Sequence, residues 1–251
     1  MQERFVALVT GGSRGIGAET ALALAEHGYD IALTYRNKAA RAQEVAASIT
    51  QQGREALALC CDITQADEVV HLFQQVGQWR AHLDLLVLNA SGGMERDLVA
   101  ADPDYPMHIN RDAQLALVKA ALPLLRPGGV IVFVTSHWAH LYGQMQQLPA
   151  YEPVAESKHA GEQALRALQP DLNALGLRLL VVTGDLVEGT ITPRLLERSA
   201  PGLIERRRTT QGALPTARDM GREIVQAALN PTLASGATIV IGASLESMLA
   251  P

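Results

Sequence analysis

The chain alternates short, continuously apolar runs with longer stretches in which apolar residues recur every three or four positions. The runs at 5–10, 31–35, 56–60, 85–88, 130–135, 177–183 and 238–241 are rich in Val, Ile and Leu, which predicts strands. Residues 16–27, 38–52, 66–79, 107–125, 154–175 and 218–229 carry a helical period between them. Strands apolar at every position, rather than at every second one, have to be covered on both faces. Their alternation with amphipathic helices predicts an α/β fold with a doubly wound parallel sheet of about seven strands, residues 1–251 forming one domain. Residues 186–214, after the sixth strand, are rich in Gly, Pro and Arg and are predicted to be irregular. Ligands sit beyond the carboxyl ends of strands in such folds, so this segment is a candidate lid over a substrate.

Composition narrows the function classes. Hydrophobic residues make up 48% of the 251, enough for a large core, and a net charge of -5 argues against a general nucleic-acid surface. No apolar run reaches membrane-spanning length. The first strand begins within a few residues of the start, which predicts no signal peptide and a cytoplasmic protein. The two cysteines, Cys60 and Cys61, are adjacent and are expected to be buried at a strand end in a reducing compartment; no metal site is expected.

The turn after the first strand reads Thr10-Gly11-Gly12-Ser13-Arg14-Gly15-Ile16-Gly17. A dinucleotide pyrophosphate there needs a tight turn, close backbone approach and close helix–strand packing, all of which favour residues without a Cβ. Gly11, Ser13, Arg14, Gly15, Ile16 and Gly17 are the expected cofactor contacts, and the domain is expected to be Rossmann-type. An acidic residue at the end of the second strand would select NAD. The chain has Tyr35-Arg36-Asn37-Lys38 instead. Arg36, with Arg14 from the glycine loop, suits a 2′-phosphate, so the expected cofactor is NADP(H).

Taken together these motifs resemble the short-chain dehydrogenase/reductase superfamily over nearly the whole length. Asp62-Ile63 after the third strand matches the family's adenine-contacting pair, and Asn89-Ala90-Ser91-Gly92 resembles its Asn-Asn-Ala-Gly segment. Asn110 matches a structural and proton-relay Asn, and Ser136 the catalytic Ser. The resemblance implies an oxidoreductase, a homodimer or homotetramer, and a small-molecule or acyl-thioester substrate.

The active-site pair departs from the family pattern. Its Tyr-x3-Lys would place a tyrosine at position 154, where this chain has Val154 ahead of Lys158. Tyr151 stands seven residues before Lys158, and seven residues turn about 700° on a helix, close to two full turns, so both side chains share a face. Pro153 suits a first helical position and sets Tyr151 just outside the helix start. Tyr-x6-Lys resembles the arrangement in enoyl-acyl-carrier-protein reductases, a branch of the same superfamily. The resemblance makes Ser136, Tyr151, Lys158 and Asn110 the catalytic set: Tyr151 gives a proton to the substrate oxygen and Ser136 hydrogen-bonds it. Lys158 favours the phenolate and holds the nicotinamide ribose, with Asn110 behind it through water. His137, Trp138, His140 and Tyr142 are candidates to shape the pocket, His137 and Tyr142 also as second proton donors. After the sixth strand, Leu186 and Thr190 are expected to hold the nicotinamide carboxamide. Asp185 and Glu188 carry no role legible in the sequence, and Arg206-Arg207-Arg208 reads as a solvated helix end or, less favoured, a phosphate attractor. Three readings stay open at this point: carbonyl reduction or alcohol oxidation, enoyl-thioester reduction, and cofactor sensing without turnover.

Overall fold

Residues apolar on both faces leave the sheet no solvated side, and helices cover each. The computed structural model describes residues 4–249. Strands β1 (Phe5–Val9), β2 (Tyr29–Tyr35), β3 (Ala56–Cys60), β4 (Leu83–Leu88), β5 (Leu125–Ser136), β6 (Arg178–Gly184) and β7 (Thr238–Ile241) form one sheet in the order β3-β2-β1-β4-β5-β6-β7. Every neighbouring pair is parallel. The helices are α1 (Gly15–Glu26), α2 (Ala39–Gln51), α3 (Ala66–Trp79), α4 (Arg96–Ala101), α5 (Tyr105–Met107), α6 (Ala113–Ala121), α7 (His137–His140), α8 (Glu152–Ala167), α9 (Gln169–Ala174), α10 (Ile191–Ser199), α11 (Leu203–Gln211), α12 (Ala217–Leu229) and α13 (Leu245–Leu249), with a π-helical turn at His108–Asp112. Among the described residues no helix is long and apolar enough to cross a membrane.

Alternate residues of each strand feed two cores. On one side Leu24 of α1, Ile49 of α2 and Ile224 of α12 join Val9, Leu33 and Val132. On the other, Phe73 of α3, Leu117 of α6 and Leu165 of α8 join Leu8, Leu88 and Phe133. Each fully buried side chain of this size contributes about 1.5–3 kcal/mol. A third apolar cluster, with Trp138, Tyr151, Val154, Leu186, Leu196 and Leu203, lies beyond the carboxyl ends of the strands.

Four local expectations need correction. The helix expected over 107–125 is α5, the π turn and α6, followed by the start of β5 at Leu125. The helix expected over 154–175 begins at Glu152 and breaks at Leu168, because Pro170 in the first turn of α9 carries no N–H to continue the ladder. Residues 186–214 are not irregular: α10 and α11 lie within them, and the left-handed Gly202 separates the two. Cys61 is buried but Cys60 is exposed, since β3 is the sheet's edge strand and Cys60 its last residue.

Candidate active site

The order places β1 and β4 side by side while the chain leaves them in opposite directions, which opens a crevice at their carboxyl ends. Thr10 and Asn89 stitch that crevice. Thr10 Oγ1 accepts the backbone N–H groups of Asn89 and Ala90 at 3.0 and 3.1 Å, and Asn89 Nδ2 donates to the Thr10 carbonyl at 3.0 Å. The glycine loop turns over this junction. Gly11 and Gly15 hold φ of 66° and 55°, which a side chain would strain. A Cβ on Gly17 would run into the Gly11 carbonyl oxygen and stand 2.6 Å from Asn89 Nδ2. The first turn of α1 carries no carboxylate, so its N–H groups and dipole face the cleft ready for an anion.

A cleft of about 690 Å³ runs from this loop in both directions. Toward β2 and β3 it is lined by Arg14, Arg36, Lys38, Arg41, Asp62 and Ile63. Arg36 Nη1 donates to the Tyr105 hydroxyl at 2.7 Å and lies 3.9 Å from Asp62. Asp62 Oδ1 in turn accepts from the backbone and hydroxyl of Thr64, at 3.0 and 2.7 Å. Tyr105 and Arg41 were not anticipated. Arg41 stands three residues beyond Lys38 on the first turn of α2, a spacing that would have revealed it; nothing local marks Tyr105.

In the other direction the cleft passes Ser91, Ser136, Tyr151, Val154, Lys158, Leu186 and Thr190. Ser136 ends β5 and caps α7, its Oγ accepting the Ala139 N–H at 3.3 Å. Tyr151 caps α8 and donates its hydroxyl to the same Ser136 Oγ at 3.0 Å. Burial, at 6% exposure, raises the Tyr151 pKa, and the Ser136 bond pulls the other way. Lys158 Nζ donates to the Val134 carbonyl at 3.2 Å, and burial brings its pKa down to about 8. Asn110 sits in the π turn, donating to the Gly92 carbonyl at 2.9 Å and to Ser157 Oγ at 3.0 Å. Its direct bonds therefore hold the β4 loop against α8, one residue before Lys158. Val154 is buried in the cleft wall. Thr135 Oγ1, also in that wall, is a buried polar atom without a hydrogen-bond partner.

Other sequence candidates lie elsewhere. His137 is fully buried, held by Thr183 Oγ1 and the Ala243 carbonyl at 2.9 Å each; burial lowers its pKa, and it does not line the cleft. Tyr142 packs on His159, and His140 binds the buried Glu162, so of that stretch Trp138 reaches the cleft. Arg207 pairs with Asp185 at 2.6 Å and Arg208 with Glu188 at 2.7 Å. Arg206 donates to the Pro201 carbonyl at 3.0 Å. Arg206 and Arg208 are exposed, as a solvated helix end would have them, whereas Arg207 turns inward onto Asp185 at the end of β6, and none of the three lines the cleft. The same pairs give Asp185 and Glu188 their roles.

A family model described as short chain dehydrogenase matches residues 5–198. The hydroxynaphthalene reductase of Aspergillus fumigatus is similar at 33% identity over 202 residues, 78% of this chain and 71% of that one. A hydroxynaphthalene reductase-like protein of Metarhizium anisopliae is 37% identical over 169 residues, 66% of this chain but 62% of that protein's length. Among solved structures, a short-chain dehydrogenase from Burkholderia cenocepacia in complex with NADP superposes with a TM-score of 0.83 at 29% identity, covering 97% of this chain and 98% of that one.

Proposed function

The chain belongs to the short-chain dehydrogenase/reductase family and is an oxidoreductase, and from that premise we propose that it is an NADP(H)-dependent reductase of an uncharged, largely apolar carbonyl compound, also able to oxidise the corresponding secondary alcohol. The observation that carries this reading is the 3.0 Å bond from Tyr151 to Ser136 Oγ in the cleft wall, beside Val154 where the usual tyrosine is missing.

The residues present fit the cofactor. Gly11, Ser13, Gly15 and Ile16 with the start of α1 would hold the pyrophosphate, Gly17 packing beneath the loop, with Asp62 and Ile63 at the adenine and Arg14 and Arg36 at the 2′-phosphate. Asn89, Ala90, Ser91, Lys158, Leu186 and Thr190 would hold the nicotinamide half. When bound, NADPH supplies the hydride that adds to the carbonyl carbon. The oxygen then gains a proton, which Tyr151 donates; its phenol is protonated at neutral pH, and burial raises its pKa further. Ser136 hydrogen-bonds the same oxygen. The Lys158 ammonium, still mostly charged at pH 7, favours the phenolate that remains. Asn110 fixes the β4 loop against α8, the helix that carries Lys158.

The substrate class follows from the walls. Beyond Ser136 the cleft meets Met94, Trp138, Val154, Leu186, Leu195 and Leu196, with Arg194 at its exposed edge, while Arg207 and Arg208 stand outside it in internal pairs. Similarity to hydroxynaphthalene reductases leans the same way. Residues 186–214 serve as the lid. Enoyl-thioester reduction is the second reading, favoured by the Tyr-x6-Lys spacing. NADPH oxidation with 2-tetralone, a β-ketoacyl thioester and an enoyl thioester separates them: turnover of the ketone alone supports the first, of the enoyl thioester alone the second. Tight NADPH binding with no turnover would support the cofactor-sensing reading. We further expect a homodimer or homotetramer, checked by light scattering, and a reducing cytoplasmic setting that keeps exposed Cys60 free.

A further inference from the structure

We propose that the buried Asp185–Arg207 pair is a positioning device for Tyr151, acting through the ring of Trp138; this rests on the reading of Tyr151 as the proton donor. Tyr151 caps α8 rather than lying inside it, so the helix ladder does not by itself fix where the phenol points. Its neighbour is Trp138, whose ring meets the tyrosine ring edge-on, with centroids 6.5 Å apart and planes at 77°. The Arg207 guanidinium lies over the same indole, with Cζ 5.4 Å from the ring centroid. A cation on the ring face is attracted by the negative face of the indole and opposes its sliding.

Arg207 is itself held from below. Asp185 Oδ2 takes its Nη2 at 2.6 Å, with the Asp185 side chain fully buried and that of Arg207 15% exposed. Asp185 is anchored at the end of β6: its Oδ1 accepts the Leu186 N–H at 2.7 Å, and its own N–H donates to the Ile241 carbonyl at 3.2 Å. Arg207 Nε, although buried, has no hydrogen-bond partner. A buried N–H left unsatisfied is costly. The guanidinium therefore occupies a position that sacrifices one of its own bonds while facing the indole. A chain of contacts leads from the sheet through Asp185, Arg207 and Trp138 to Tyr151, and it joins α11, in the lid segment, to the hydroxyl that bonds Ser136.

The pair could instead only staple α11 to the fold, and the variants distinguish the two. Arg207→Met alone leaves Asp185 charged and buried, which costs stability in either case. Asp185→Asn/Arg207→Met removes both charges and restores folding, so its activity is informative; Asp185→Asn alone is the gentler second variant. A positioning role gives a folded double variant with NADPH affinity unchanged and kcat for the best ketone down roughly tenfold to a hundredfold. In a Trp79→Phe background, where Trp138 is the remaining tryptophan, acrylamide quenching of its emission should rise about twofold as the ring loosens. Wild-type kcat with unchanged quenching in the folded double or Asp185→Asn variant would overturn the proposal. Full activity in Tyr151→Phe would overturn the underlying reading instead, and the quenching experiment would still decide whether the pair holds Trp138.

Discussion

Tyr151, the cap of α8, donates its hydroxyl to Ser136 at the end of β5 over 3.0 Å, fifteen positions back along the chain. The two residues belong to elements that no local pattern connects, and the bond forms because α8 begins directly over the carboxyl end of β5. Lys158, two helical turns further on, meets the same strand through the Val134 carbonyl. Strand end, helix cap and helix interior thus converge on one wall of the cleft.

If Tyr151 is the proton donor, Tyr151→Phe should lower kcat by about 10²–10⁴-fold. The ring and its packing on Trp138 are retained, so the loss in stability should be about 1 kcal/mol, the worth of one hydrogen bond. NADPH affinity by fluorescence titration should not change. A variant with wild-type kcat would remove Tyr151 from the mechanism.

Position 154 gives the converse test. Val154 is 4% exposed, and a Cβ on Gly93 would already stand 3.0 Å from its methyl group. Tyr151→Phe/Val154→Tyr should therefore fail to recover activity, and overpacking should cost roughly 1–3 kcal/mol, read as a lower Tm. Recovery of most of the wild-type kcat would mean that the site accepts the usual Tyr-x3-Lys geometry.

Much of this scaffold was legible in the chain, and the misses have physical causes. Strands β3 and β7 and helix α3 lie where the apolar periods predict, because short parallel strands and an amphipathic helix have distinct periods. The glycine loop was legible because a close backbone approach excludes a side chain at Gly17, and the spacing of Gly11, Gly15 and Gly17 between the first strand and helix marks that need. Helix α11, Leu203–Gln211, was missed because most of its residues are polar and no apolar stripe marks it. What holds it is Arg207 on Asp185, a pairing across the fold that no local pattern reveals. The Arg36–Tyr105 bond, the π turn around Asn110 and the exposure of Cys60 at the sheet edge were hidden for the same reason.

Lys158 predicts opposite pH trends for stability and activity. Its folded pKa, about 8, lies below the ordinary 10.5 because the ammonium is buried. Below pH 8 both folded and unfolded chains are protonated, and the full cost of burying the charge is present. Between about 8 and 10.5 the unfolded chain binds more protons, so this residue's contribution to stability rises with pH. Activity that needs the ammonium falls over the same range, with a midpoint near pH 8. Lys158→Met should abolish turnover yet stabilise the fold at pH 7 by roughly 3 kcal/mol, the value of the shift. Denaturant melts of both proteins at pH 7 and pH 10 check the sign: the gap between them should narrow at the higher pH.

Gly17→Ala tests the loop itself. The added methyl meets the Gly11 carbonyl and Asn89 Nδ2, both part of the junction between β1 and β4. Either the loop shifts away from α1 or the Asn89 bonds break. NADPH binding should be lost, with destabilisation of roughly 1–3 kcal/mol from overpacking. An alanine variant that binds NADPH with unchanged affinity would contradict the assignment of this loop to the pyrophosphate.

If Arg36 and Arg14 take the 2′-phosphate as proposed, selectivity between the two nicotinamide cofactors rests on them. Arg36 is oriented by the Tyr105 hydroxyl at 2.7 Å, and Asp62, at 3.9 Å, is too distant to neutralise it through a close bond. A hydrogen bond to a charged group is worth about 1.5–3 kcal/mol, so Arg36→Ala should weaken NADPH binding by roughly 10–100-fold. NADH has no 2′-phosphate, and its affinity should stay within about twofold, so the ratio of the two dissociation constants is the diagnostic. Arg14→Ala should act in the same direction. Tyr105→Phe keeps both guanidinium groups but releases Arg36, and should move the ratio part of the way. Equal loss of both cofactors in Arg36→Ala would instead assign this residue to the adenosine they share and would leave the 2′-phosphate to Arg14, Lys38 and Arg41.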